Sequence, residues 1–162
     1  MSSGIMEGGK AIGKKGEMGP GELADFLAGF ARGIAHRGKC QLGDRTILDA
    51  VDAGARKAQE ACAEGADMGA MLRRAAEGAK EGVKATEDML PKYGKAAVFS
   101  AKAKGVPDQG AVAGQYFLEG LGEIFSIKRI FYKKRTALSG RSSFCSSFYF
   151  IPRASGSQPR FP

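Results

Sequence analysis

From residue 22 to residue 125 the apolar side chains recur three and four positions apart, and no run alternates with the period of two that a half-buried strand requires. A chain patterned this way buries its apolar surface by packing helix against helix. Leu23, Phe26, Leu27, Phe30 and Ile34 form the first stripe and predict a helix over about residues 22–37. Leu48, Val51, Ala55, Ala58 and Cys62 set a second, over about residues 46–62. Met68, Met71, Leu72, Ala75, Ala79 and Val83 set a third, N-capped by Asp67 and running to about Leu90, where Pro91 stops it. Val112, Tyr116, Phe117, Leu121 and Phe125 mark the inner side of a fourth, which opens after Asp108. Gly29/Gly33 and Gly78/Gly82 stand four apart on helix faces, where each Gly costs roughly 1 kcal/mol against Ala, so close helix approach is expected there. Residues 1–13 read as a short helix or the stub of a longer one, since four glycines dilute Ile5, Met6 and Ile12. Residues 14–21 (KKGEMGPG) read as a turn. The expected fold is all-α, an antiparallel helical bundle with short connections over residues 1–125.

The composition changes after Ser126, and the charge changes with it. The chain of 162 residues carries a net charge of +8, yet eight cations follow Glu123 without an acid among them, and the 17 cations before that point balance the 17 acids. The basicity therefore belongs to residues 126–162, which also hold Phe131, Tyr132, Phe144, Phe148, Tyr149, Phe150 and Phe161. A short hairpin, an aromatic-basic arm for nucleic acid and a sequence never selected to fold are the open readings of this irregular tail. The scattered spacing of its aromatic residues gives no stacking platform and favours the last, so neither nucleic acid nor membrane is expected as a partner. Cys40, Cys62 and Cys145 have unrelated spacings and His36 is the only histidine, which argues against zinc and against a disulfide framework. A reduced, cytoplasmic setting follows. The N-terminus has no signal-peptide pattern, and no run of about 20 apolar residues occurs.

Two stretches stand apart from the helical pattern. Residues 36–49 (HRGKCQLGDRTILD) join a Gly- and Lys-rich loop to a helix start. Gly38 and Gly43 are expected to free the backbone for sharp turns, Arg37, Lys39 and Arg45 to supply positive charge, and Asp44 to cap the helix. Helix N-termini attract anions, so such a loop suits phosphate. Residues 91–110 (PKYGKAAVFSAKAKGVPDQG) repeat that grammar and end on Asp108 at another helix start. A loop of this length without periodic structure is unusual in a helical bundle and points to function. The two loops are expected to meet over one nucleotide.

These stretches carry a family resemblance. HRGKCQLGDRTILDA resembles the R-G-K-x-x-x-G-D-K-T-[IM]-x-D signature of the ADP-binding L subunit of dihydroxyacetone kinase, and YGKAAVFSAKAKGVPDQGA resembles that family's G-R-A-x-Y-L-G-E-R-S-x-G-x-x-D-P-G-A. The resemblance covers roughly residues 1–122. It implies an eight-helix antiparallel barrel, present here in incomplete form, that holds a nucleotide and magnesium at one rim. It also implies phosphoryl transfer from ADP/ATP to dihydroxyacetone, with a dihydroxyacetone-binding kinase subunit as partner. In the phosphotransferase-dependent branch a phosphocarrier subunit recharges the bound ADP.

Carried over position by position, the resemblance assigns ADP contacts to seven residues. Gly38 lies against the nucleotide, Ile47 packs on the adenine, and Asp44 and Thr46 stand beside it at the helix start. Lys95 matches an arginine near the phosphates, and Asp108 with Gly110 match the D-P-G turn that closes over the nucleotide. Lys in place of Arg keeps the charge and loses the fork geometry, and Gln109 replaces the motif's Pro. No residue is assigned as catalytic. The family's metal-binding G-D-x-D-x-G element is absent, so magnesium has no ligands in this sequence, and the chain is expected to begin mid-domain and to leave its frame near residue 126. A non-catalytic helical fragment or subunit-interaction module is the alternative to a kinase subunit.

Plainer readings stand beside these. His36 at a helix end is expected to face the helix dipole. Asp49 and Asp52 share one helix face, and two carboxylates without a third ligand are expected to be a hydrated surface. Lys39 and Arg45, taken alone, are expected to be solvated charges, and Cys40 implies no chemistry.

Overall fold

The computed structural model describes residues 1–14, 18–92 and 105–138, with side chains as far as Phe125. Five helices occupy them: α1 (Ser2–Ile12), α2 (Pro20–Gly38), α3 (Ile47–Ala63), α4 (Met68–Ala85) and α5 (Gln109–Leu138), with a 3₁₀ turn over Thr86–Asp88. No strand occurs among the described residues, so the fold is all-α. None of these helices is long and apolar enough to cross a membrane.

Each helix packs on its neighbour in sequence, α4 and α5 included although the long loop separates them, and α5 also packs on α3. The caps are local. Glu22 accepts the Gly19 N–H at 3.1 Å ahead of α2, and Asp67 Oδ1 accepts the Ala70 N–H at 2.7 Å at the start of α4. Gly65, at φ 78°, ends α3, and the Ala66 N–H reaches back to the Ala61 carbonyl at 2.9 Å.

The core is built from Leu23 and Leu27 of α2, Ala55, Ala58 and Ala61 of α3, Met71, Leu72 and Ala75 of α4, and Leu118 of α5. Leu27 and Phe30 are wholly buried, each worth about 2 kcal/mol or more by removal from water. Phe30 stacks on Phe117 with ring centroids 5.0 Å apart, joining α2 to α5. The expected stripes of α2, α3 and α4 all turn inward, with Phe26 and Cys62 half-buried.

Backbone contact explains the paired glycines. A Cβ at Gly33 would lie 2.5 Å from the Ser3 carbonyl oxygen, and one at Gly82 would lie 2.5 Å from that of Asp49. Gly4 and Gly8 answer from α1, where a Cβ would strike the rings of Phe30 and Phe26. Two of the four glycines that dilute the apolar pattern of residues 1–13 are thus its contact surface, and the segment is a helix.

Two expectations are corrected. Tyr116 does not face inward: it is 65% exposed, while Ala111, Gly114 and Leu118 are buried. Small residues at 111 and 114 bring α5 against the start of α3, and this sets the helix phase. Second, α4 stops at Ala85 rather than near Leu90, because the chain tightens into the 3₁₀ turn ahead of Pro91. The last helix, α5, runs through the composition change at Ser126 to Leu138. That run contains neither Gly nor Pro, so nothing in its backbone chemistry ends the helix at Ser126.

Candidate functional site

The start of α3 is held by its own side chains. Lys39, at φ 49°, takes the left-handed turn after α2, so the turning position expected of Gly38 falls one residue later. Gly38 is the exposed last residue of α2, and a Cβ there would lie 3.0 Å from Cys40 Sγ. Residues 41–44 close a turn in which the Asp44 N–H donates to the Gln41 carbonyl at 3.2 Å and the Gln41 N–H donates to Asp44 Oδ2 at 2.7 Å. Gly43 and Arg45 both have positive φ, 88° and 59°. For a residue with a Cβ that conformation costs roughly 1–2 kcal/mol, and the bonds around it hold it in place.

Asp49 is the source of those bonds. Its Oδ1 accepts the Gly43 N–H at 2.6 Å and its Oδ2 accepts the Thr46 N–H at 2.7 Å. Thr46 is the N-cap, its Oγ1 accepting the Leu48 N–H at 3.2 Å. Asp44 is therefore not the cap, because its carboxylate faces backward to Gln41 and sideways to Lys92. Nor is Asp49 a hydrated surface residue: it is buried, and both its oxygens bind backbone. Asp52, the other half of that pair, meets Arg56 at 2.9 Å.

The start of α5 is held from a distance. Asp108 caps it, with Oδ2 accepting the Ala111 N–H at 2.8 Å. The Asp108 N–H donates to Thr86 Oγ1 at 2.9 Å, and the Gly105 N–H donates to the Glu87 carbonyl at 3.0 Å. The two stretches do meet. Arg45 Nη2 donates to the Val106 carbonyl at 2.6 Å, Lys92 Nζ lies 2.5 Å from Asp44 Oδ1, and a Cβ on Gly110 would stand 3.4 Å from the Ile47 nitrogen. Gly114, one turn on, packs against Ile47 and Val51. Arg45 is thus buried in the junction rather than solvated. The Lys92 ammonium, and next the Gln41 N–H, hold the Asp44 carboxyl below its ordinary pKa against the opposing effect of desolvation.

Of the seven residues expected to contact ADP, Thr46, Ile47, Asp108 and Gly110 stand at two adjacent helix starts, and Asp44 lies in the α2–α3 loop, where it meets Lys92. Gly38 sits apart beside Cys40, and Lys95 lies outside the described residues. A shallow groove of about 270 Å³ opens on the α4 side of the loop between Leu42, Gly43, Arg56, Glu81 and Met89, and none of the described six lines it. Among the described residues no three His, Cys, Asp or Glu side chains form a group able to hold a metal. Asp49 and Thr86 were missed as site residues. Asp49 was readable, since Thr46 and Asp49 have capping-box spacing; Thr86 carried no comparable local signal.

Residues 1–123 match the family model of the DAK2 domain. The chain belongs to the DAK2 domain family. That is the dihydroxyacetone kinase family, as the two motifs imply. This DAK2 domain is 26% identical over 104 residues to the L-erythrulose kinase of Pectobacterium atrosepticum, covering 64% of this chain and 18% of that protein. It is 34% identical over 87 residues to the triokinase/FMN cyclase of Homo sapiens, covering 54% and 15%. The Rattus norvegicus protein of the same name is 33% identical over 91 residues, covering 56% and 16%. The chain thus spans 18% or less of the length of these curated relatives.

Proposed function

We propose that this DAK2 domain holds ADP or ATP for phosphoryl transfer to a small ketose, dihydroxyacetone or a close relative, in the manner of the L-type subunit of dihydroxyacetone kinase. The observation that carries the reading is the junction of Ile47 with Gly110. It sets the N-termini of α3 and α5 side by side, and their aligned peptide dipoles favour an anion at one rim. Half-buried Ile47 offers apolar surface to a base beside that rim. The kinase names of the relatives support the same class of reaction. A ketose-binding kinase subunit or domain is the partner this reading requires, with a phosphocarrier protein or free ATP as phosphoryl donor, in a cytoplasmic setting.

The carboxylates at the junction do not fit a magnesium ligand set. Asp44 meets Gln41 and Lys92, Asp49 binds two backbone N–H groups, and Asp108 caps α5. Phosphoryl transfer depends on metal-assisted charge neutralisation, so the part proposed for these residues is to bind and orient the nucleotide.

Isothermal titration with ADP in the presence of magnesium tests this. Binding with a Kd on the order of micromolar, about −8 kcal/mol, and weakened in Lys95→Ala, is the expected result. No heat at millimolar nucleotide would overturn it and favour a non-catalytic helical module that binds partner subunits.

A further inference from the structure

Thr86 is the one polar side chain among the described residues with no exposed surface at all, and neither motif contains it. It stands at the junction of α4 with the 3₁₀ turn. Its Oγ1 donates to the Val83 carbonyl at 2.6 Å and accepts the Asp108 N–H at 2.9 Å. A hydroxyl has one proton and two lone pairs, so donation to Val83 fixes the proton and turns a lone pair toward Asp108. Val83 itself packs with Ala50 and Ala111, which ties this bond to the core of α3 and α5. The next residue of the turn, Glu87, receives the Gly105 N–H. Two successive residues thus hold the returning end of the long loop.

We propose that Thr86 is the positioning residue of the nucleotide rim: through Asp108 it sets the turn that lays Gly110 against Ile47. The proposal rests on the nucleotide reading above. Thr86 touches no expected nucleotide contact except the Asp108 backbone, and its effect on binding is indirect. Loss of the hydroxyl leaves the Asp108 N–H without its acceptor and releases the turn while the caps at Asp108 and Thr46 remain.

Two substitutions separate the hydroxyl from the packing. Thr86→Val keeps the side-chain shape without the hydroxyl, and Thr86→Ser keeps the hydroxyl without the methyl. On the full chain, Thr86→Val is expected to weaken ADP binding in magnesium buffer about tenfold, the size of one buried hydrogen bond. It should also speed amide exchange at residues 105–111 with the helical circular dichroism retained. Thr86→Ser is expected to stay within about twofold of the unaltered chain in affinity, since its hydroxyl preserves both bonds. Unchanged affinity in Thr86→Val, or equal loss in both variants, would overturn the proposal, the latter because packing would then be the cause. If the unaltered chain binds no ADP, the nucleotide reading falls on that result alone. Exchange then decides the role of Thr86: acceleration in the Val variant only supports it, and wild-type exchange overturns it.

Discussion

The starts of α3 and α5 do the same job by opposite means. At α3 the bonds from Gly43 and Thr46 to Asp49 and from Gln41 to Asp44 span three to six residues. At α5 the defining bonds cross 22 residues to Thr86 and 61 residues to Arg45. The first start carries most of its own scaffold. The second is placed by the rest of the molecule. A rim built from one self-sufficient wall and one dependent wall tolerates sequence change unequally, and substitutions can expose the asymmetry.

The largest effect is expected at the self-contained wall. Asp49→Ala strips the Gly43 and Thr46 N–H groups of a charged acceptor and should destabilise the fold by about 2–3 kcal/mol, measured by urea unfolding. A loss no larger than that of an exposed carboxylate would show that the α3 start does not depend on it. Gly82→Ala attacks the same wall from behind, by pressing a methyl onto the Asp49 carbonyl oxygen. Overpacking of about 1–3 kcal/mol outweighs the roughly 1 kcal/mol that Ala gains over Gly in a helix. A lower melting temperature is the expected result, and a higher one would mean that the α3–α4 crossing yields. At the dependent wall Asp108→Ala removes a single cap and should cost about 1 kcal/mol, with faster amide exchange over the first turn of α5 and none over α3. Spread of that exchange into α3 would erase the distinction between the walls.

The smallest effect is a pH dependence at the seam. Lys92 and Gln41 depress the Asp44 pKa in the folded state, so the contribution is fully present above the ordinary carboxylate range, about pH 4, and is lost as pH falls through the depressed folded value. Denaturation midpoints of the unaltered chain and Asp44→Asn should therefore converge as the pH is lowered below about 4. Parallel curves would remove Asp44 from the seam.

Legibility in the sequence followed the same division. The stripes of α2, α3 and α4 were readable because large apolar residues define them. On α5 Val112, Phe117, Leu121 and Phe125 pack on the core as their spacing implies; Tyr116 alone misleads, and the contact that Ala111 and Gly114 make with α3 was hard to read because small residues carry little hydrophobic signal. Gly4 and Gly8 weakened the signal of α1 for the same reason, though residues 1–13 still read as a short helix. At the site, the Thr46–Asp49 spacing was a local pattern within reach of sequence reading. The Thr86–Asp108 and Arg45–Val106 bonds were not, since only the folded chain brings those residues together.

The central claim is that both helix starts form one nucleotide site. A two-dimensional amide spectrum recorded while ADP is titrated into the chain with magnesium tests it most directly. One shared site predicts that the amides of Thr46, Ile47, Asp108 and Gly110 shift together and fit a single dissociation constant. Shifts confined to one helix start, or two unrelated constants, would contradict it.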